Sequence, residues 1–337
     1  MSLRPFDTLQ RPLRDLRVSV TDRCNFRCPY CMPKEVFGRD WAFLPRRELL
    51  SFEEIERVVH AFVANGVEKL RITGGEPLLR RDLPRLIEAL ARIEGVRDLT
   101  MTTNGALLPP VAQALRDAGL RRLTVSLDAL EEQTFRTMSD VAVPLAQVLA
   151  GIAAAEAAGF RSIKINMVVK RGVNEHCILP MAEHFRGSGH SLRFIEFMDV
   201  GHSNGWRMEE VVSADEVLST LARRWPLQPL APNYPGEVAN RYRYSDGRGE
   251  IGVIASVTRP FCRGCTRARL TADGQFYTCL FGTHGHDLRS LIRAGASDQA
   301  LTERIRTVWL NRADRYSEVR SAETRALPKV EMSRVGG

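Results

Sequence analysis

"LRVSVTDRCNFRCPYCMP" (residues 16–33) joins a short β-branched run to a loop that packs Cys24, Cys28 and Cys31 into eight positions. The run at 16–20 reads as a buried strand, and five more of its kind follow at 67–72, 98–102, 121–127, 161–169 and 191–198, with helical patterns between them. Ser51 and Glu54 form a capping box ahead of an apolar helical face of Phe52, Ile55, Val58, Val59 and Phe62. Gly66, Gly119 and Gly159 stand where helices should stop. Six βα units in series predict an α/β fold with parallel strands and right-handed crossovers, which an open doubly wound sheet or an incomplete barrel would satisfy.

The unusual residues sit just past the predicted strands: the cysteine loop, then "TGGEP" (73–77), "TTNG" (102–105), "SLDAL" (126–130) and "EFMDVG" (196–201). Parallel α/β folds bind ligands at the carboxyl ends of their strands, so these segments predict a single site. Beyond residue 230 the texture changes. The stretch "PLQPLAPNYPGEVANRYRY" reads as a linker, and a smaller unit follows with a strand-like "GEIGVIASV", a hairpin at "ADGQ" and helices near 287–294 and 299–311. The expected division is 1–230 and 231–337.

The chain has 337 residues, a formal charge of +8 and no internal repeat. No run of 18 apolar residues occurs and the first 20 residues lack the apolar stretch of a signal peptide, which predicts a cytoplasmic protein with no membrane partner. Only five of 48 basic residues are lysine, and the charge is spread along the chain with no interleaved aromatic platform. That weighs against nucleic acid and makes a phosphorylated small molecule at least as good an anionic partner.

Seven cysteines, mostly in two tight groups, read as metal ligands rather than disulfides. The second group, Cys262, Cys265 and Cys279, again supplies three thiols, and Cys177 stands alone on a helical pattern as core packing. A Cys3His zinc site that borrows His284 or His286 is open for the second group. No histidine lies near the first, so a cluster with one iron left free of protein ligands explains it better.

Cys-x3-Cys-x2-Cys directly after the first strand of a βα series, with Tyr30 before the last cysteine, resembles the radical S-adenosylmethionine (SAM) enzymes. The resemblance implies an incomplete (β/α)6 TIM-like barrel with a smaller C-terminal iron-sulfur domain, in which a 4Fe-4S cluster binds SAM and generates a 5′-deoxyadenosyl radical. "LRITGGEPLLRRDL", "MTTNG", "VSLDAL", "IKINMVV", "RFIEFMDVG", "FCRGCTRARLTADGQFYTCLF" and the terminal Gly336-Gly337 narrow it to the GTP-cyclising branch that serves molybdenum cofactor biosynthesis.

By that resemblance Cys24, Cys28 and Cys31 hold the SAM cluster, and Cys262, Cys265 and Cys279 hold a second 4Fe-4S beside the guanine. Tyr30, Gly75, Glu76, Ser126 and Met198 would contact SAM. Arg17, Lys69, Arg71, Thr102, Lys164, Arg193, Arg267, Ala268 and Arg269 would bind GTP, and arginine forks suit its phosphates. The reaction implied is hydrogen abstraction at ribose C3′ and attack on guanine C8, giving 3′,8-cyclo-7,8-dihydro-GTP, with Gly336 and Gly337 reaching into the active site. A flavodoxin- or ferredoxin-type electron donor, a cyclic pyranopterin monophosphate synthase downstream and a homodimer belong to the same expectation. Two other readings stay open: a two-cluster peptide maturase, whose auxiliary domain generally carries more cysteines, and an RNA-binding metalloprotein.

Overall fold

The computed structural model describes residues 4–336. The six expected strands are present as β1 (Asp15–Ser19), β2 (Lys69–Thr73), β3 (Asp98–Thr103), β4 (Arg122–Ser126), β5 (Lys164–Val169) and β6 (Ser191–Glu196). Helix α1 (Phe52–Ala64) starts as its sequence demands. Ser51 Oγ accepts the Glu54 N–H at 3.1 Å, Glu54 Oε2 accepts the Ser51 N–H at 2.7 Å, and Ile55, Val58, Val59 and Phe62 are buried. The chain then turns at Gly66, where φ is +101°.

Each strand is paired in parallel with the next, from β1 through to β6, with no reversal of order. A doubly wound sheet reverses order at a switch point, so that alternative falls away. Right-handed crossovers in a single direction set the helices on one face. The strands record this in their alternation. Leu16, Val18, Leu70, Ile72, Leu123, Val125, Ile165, Met167, Leu192 and Phe194 enter the apolar core, while Arg17, Lys69, Arg71, Ser126, Asn166 and Arg193 line a cavity on the other face.

The segment after 226 corrects the linker reading. Leu227–Leu230 (β7) and Asn240–Tyr244 (β8) are antiparallel strands, and Glu250–Ile254 (β9) joins them to β6 in parallel. They were hard to read because they form a sheet edge, half exposed, where "LQPL" and "NRYRY" show no apolar alternation. Arg267–Leu270 (β10) adds in parallel to the opposite edge, beside β1, and continues into Gln275–Tyr277 (β11) and His286–Asp287 (β12). The region 231–337 therefore extends both edges of one sheet. Among the described residues no helix is long and apolar enough to cross a membrane.

Candidate active site

The five segments past the strands do meet. One cavity is lined by Cys24, Cys28, Cys31 and Tyr30, by Gly74, Gly75 and Glu76, by Asn104, Ser126 and Asp128, and by Met198. The same cavity reaches Cys262, Cys265 and Cys279. The sheet fixes their separation. The first trio follows the end of β1, whereas Cys265 precedes the start of β10, which runs parallel beside β1. The two groups thus flank the strands at opposite ends, roughly 15 Å apart at about 3.3 Å per residue.

All six thiols are free and partly exposed, and Cys177 is buried in the core. No group of three or more His, Cys, Asp or Glu among the described residues is gathered closely enough for a single metal ion. His284 meets the Thr283 hydroxyl at 2.7 Å, and His286 pairs with Phe276 across β11 and β12. The surroundings of Cys265 suit a metal-bound thiolate. Burial pushes its thiol up, but Arg267 and Arg312 outweigh burial and hold it down at about 6. Their guanidinium groups lie 3.3 Å and 3.2 Å from Sγ. In the first trio burial dominates, lifting Cys24 to about 12 with Glu76 adding to it.

Gly75 has no room for a side chain: an added Cβ would lie 2.3 Å from the Arg23 carbonyl oxygen, so "GGEP" docks directly on the cysteine loop. Glu76 is 1% exposed and burial raises its carboxyl to about 7. Its oxygens accept the Thr103 hydroxyl at 2.7 Å and the N–H groups of Asn104 at 2.8 Å and Leu78 at 3.1 Å. It ties the ends of β2 and β3 together at the cavity wall. Tyr30 donates its hydroxyl to Asp128 Oδ2 at 2.7 Å, and Asp128 Oδ1 accepts the Val168 N–H at 2.8 Å. Asp128 escaped notice although it sits two residues past Ser126, on the same face.

The basic residues converge on the cavity away from the first cysteines. Arg71 donates to Thr102 Oγ1 at 2.9 Å and Thr124 Oγ1 at 3.1 Å, and Lys69 lies 3.0 Å from Asp15 Oδ2. Arg17, Arg193, Arg267 and Arg269 also line it. Lys164, on β5, lies within electrostatic reach of Arg193 and Arg71, whereas Ala268 turns into the core and offers the cavity only backbone. Arg17 Nε, Arg193 Nε, Ser19 Oγ, Asp15 Oδ1 and Asn166 Oδ1 are buried with no hydrogen-bond partner. Such atoms normally find one, which fits a cavity built for a polar anionic ligand.

The chain's end also enters. Gly336 is buried at φ +74°, an added Cβ there would fall 2.2 Å from Thr73 Cγ2, and Arg269 Nη1 donates to the carbonyls of Gly336 and, at 3.1 Å, Val335. Gly337 lies outside the described residues.

A buried ionic cradle that no local sequence pattern marks holds the second cysteine loop. Asp7 Oδ2 accepts from Arg11 Nε at 2.6 Å and Arg312 Nη1 at 3.1 Å, and these arginines donate onward to the Cys262 carbonyl at 2.9 Å and the Cys265 carbonyl at 2.8 Å. Asp7→Ala leaves the buried Arg11 without a carboxylate and Arg312 with Asp314 alone, and is expected to cost about 3–5 kcal/mol in denaturant unfolding. A loss near zero would mean that the cradle is not needed for stability.

A parallel α/β sheet whose first loop carries three cysteines is the architecture of the radical SAM enzymes, and a model of the Radical SAM superfamily matches residues 18–185. A second model, Molybdenum Cofactor Synthesis C, matches residues 190–318. Among solved structures, Streptococcus suis SuiB bound to S-adenosylmethionine superposes with a TM-score of 0.62 over 94% of this chain and 72% of its own, at 14% identity, a likeness of fold. Among curated proteins, GTP 3′,8-cyclases from Acidothermus cellulolyticus and Staphylococcus saprophyticus are 56% and 49% identical, each over 98% of both chains. That from Xanthomonas campestris is 57% identical over 98% of this chain and 97% of its own. The chain belongs to the GTP 3′,8-cyclase family.

Proposed function

We propose that this protein cyclises GTP to (8S)-3′,8-cyclo-7,8-dihydroguanosine 5′-triphosphate, the first step of molybdenum cofactor biosynthesis. The observation that carries the reading is one cavity with a three-thiol group at each end and buried arginines between, two of which present an Nε that meets no acceptor. Cys24, Cys28 and Cys31 would hold a 4Fe-4S cluster that, when bound and reduced, would supply the electron for SAM cleavage and so for hydrogen abstraction at ribose C3′; closing the C3′–C8 bond to the 7,8-dihydro product would take one further electron from the same class of donor and a proton at N7.

The chain's own residues bind, orient and exclude water. Tyr30, Gly75, Glu76, Ser126 and Met198 form the SAM side. Arg17, Lys69, Arg71, Thr102, Lys164, Arg193, Arg267, Arg269 and the backbone of Ala268 hold GTP, with guanine toward a second cluster at Cys262, Cys265 and Cys279. Gly336 closes the space between, and Gly337 shares its catalytic role. The finer architecture we propose is an incomplete (β/α)6 barrel over 1–230, completed by an iron-sulfur unit over 231–337. The unreversed strand order and the polar inner face support it. A cytoplasmic location, a flavodoxin- or ferredoxin-type donor, hand-over to cyclic pyranopterin monophosphate synthase and a homodimer complete the proposal.

Anaerobic reconstitution with iron and sulfide, then dithionite, SAM and GTP, tests it: 5′-deoxyadenosine and a cyclised nucleotide should appear together. Failure of both with two clusters loaded would sink the reading.

Lys164 gives a pH signature. Burial, then Arg193, Arg122, Arg71 and Lys69, push its ammonium down to about 6, so above that pH it is neutral in the free protein. A bound triphosphate favours the charged form, so binding at pH 8 should take up a proton, read as an enthalpy that varies with the ionisation enthalpy of the buffer. Lys164→Arg, charged throughout, should abolish the uptake and keep the binding.

A further inference from the structure

The turn between β7 and β8 lies against the basic end of the cavity, and Tyr234, Gly236, Glu237 and Val238 line it. Lys69 Nζ donates to Tyr234 Oη at 3.0 Å. Since the ammonium occupies an oxygen lone pair, the phenol's own proton is free to go to an acceptor in the cavity. Arg71, Arg122 and Arg193 all lie within electrostatic reach of that hydroxyl, which therefore sits among cations.

Glu237 stands beside it with its side chain 1% exposed and Oε1 3.7 Å from Arg193 Nη2, a loose pairing that leaves Arg193 Nε without a partner. Its other oxygen is used to shape the turn, accepting the Asn233 N–H at 2.7 Å. Gly236, at φ +87°, presses on the second cysteine loop, where an added Cβ would lie 2.9 Å from the Gly264 carbonyl oxygen. One turn therefore spans the phosphate-binding cations and the neighbourhood of Cys265.

We infer that this turn reads the terminal phosphate of the substrate: Tyr234 donates a hydrogen bond to it, and Glu237 occupies Arg193 until that phosphate displaces it. A carboxylate carries one negative charge and a terminal phosphate up to two. The exchange thus favours a triphosphate, whose last group reaches the turn, over a shorter nucleotide whose last group does not. Tyr234 is then a binding residue and Glu237 a specificity residue, and neither belongs to the parallel strands that carry the rest of the phosphate site. The inference rests on GTP being the substrate.

The test is equilibrium titration of the anaerobically reconstituted protein with GTP and with GDP, SAM being withheld so that nothing turns over. Tyr234→Phe removes only the hydroxyl and should weaken GTP about 10- to 100-fold, the worth of one charge-assisted hydrogen bond, with GDP much less affected. Glu237→Gln keeps the shape and the bond to Asn233 but frees Arg193, and should tighten GTP by about 3- to 10-fold. That gain is opposite in sign to the loss a structural carboxylate would give. Equal weakening of GTP and GDP by Tyr234→Phe, or weaker GTP binding by Glu237→Gln, overturns the inference while leaving the cyclase reading intact. Wild-type protein that binds no GTP overturns both.

Discussion

Cys265→Ser is expected to halve the iron bound per chain and to abolish the cyclised nucleotide, while SAM is still cleaved to 5′-deoxyadenosine at the other end of the cavity. The expectation comes from the separation of the two thiol groups. They lie roughly a strand's length apart, so losing a ligand from one leaves the other's loop untouched. Serine is a hard, high-pKa oxygen donor that replaces the one thiol which Arg267 and Arg312 hold near 6. The loop itself should survive, because the Asp7–Arg11–Arg312 cradle also grips the Cys262 and Cys265 carbonyls, which the substitution leaves in place. Cys28→Ser should give the complementary result, with no 5′-deoxyadenosine at all and the second cluster still present. Iron and sulfide analysis with quantitation of both products decides it. Sustained cyclisation by Cys265→Ser would remove the second group from the reaction.

Gly336→Ala should lower turnover by about 100-fold or more, the scale on which an ångström of misplacement acts, with both clusters retained and the unfolding transition little moved. The position is doubly intolerant. Its φ of +74° disfavours any L side chain, and the new methyl would meet Thr73 Cγ2 at 2.2 Å. The rest of the tail is independently anchored. Lys329 Nζ donates to the Asp199 carbonyl at 3.0 Å, and Glu331 accepts the His202 N–H at 3.0 Å and the Ser203 hydroxyl at 2.8 Å. Only the last turn is then pushed out, taking with it the carbonyls that Arg269 holds. Adding Thr73→Ser deletes the obstructing methyl and should restore part of the activity, a recovery that a general folding defect would not allow. Unchanged turnover in Gly336→Ala would show that the tail's place against Thr73 is unimportant.

The six parallel strands, the capped first helix and the two cysteine groups were legible because each is a local pattern. Alternation along a strand, a capping box and a thiol spacing are all complete within about a dozen residues. The same alternation could have separated Ala268 from Arg267 and Arg269, since neighbours on a strand point to opposite faces. The turn at 233–238 resisted the same treatment. Its proline and glycine describe a loop correctly, and nothing local marks that loop as a wall of the cavity.

By itself the sequence determined a parallel α/β sheet with unusual segments past its strands, two three-thiol groups and arginines on the strands' polar face, because side-chain chemistry and short-range periodicity are sufficient for these. Only the tertiary structure decided that β10 adds beside β1 and β9 beside β6. Those pairings seat both thiol groups in one cavity and bring Tyr234 to Lys69 across 165 residues and Asp7 to Arg312 across 305. Contacts that distant are set by strand order and by the burial of charge, which no window along the chain contains.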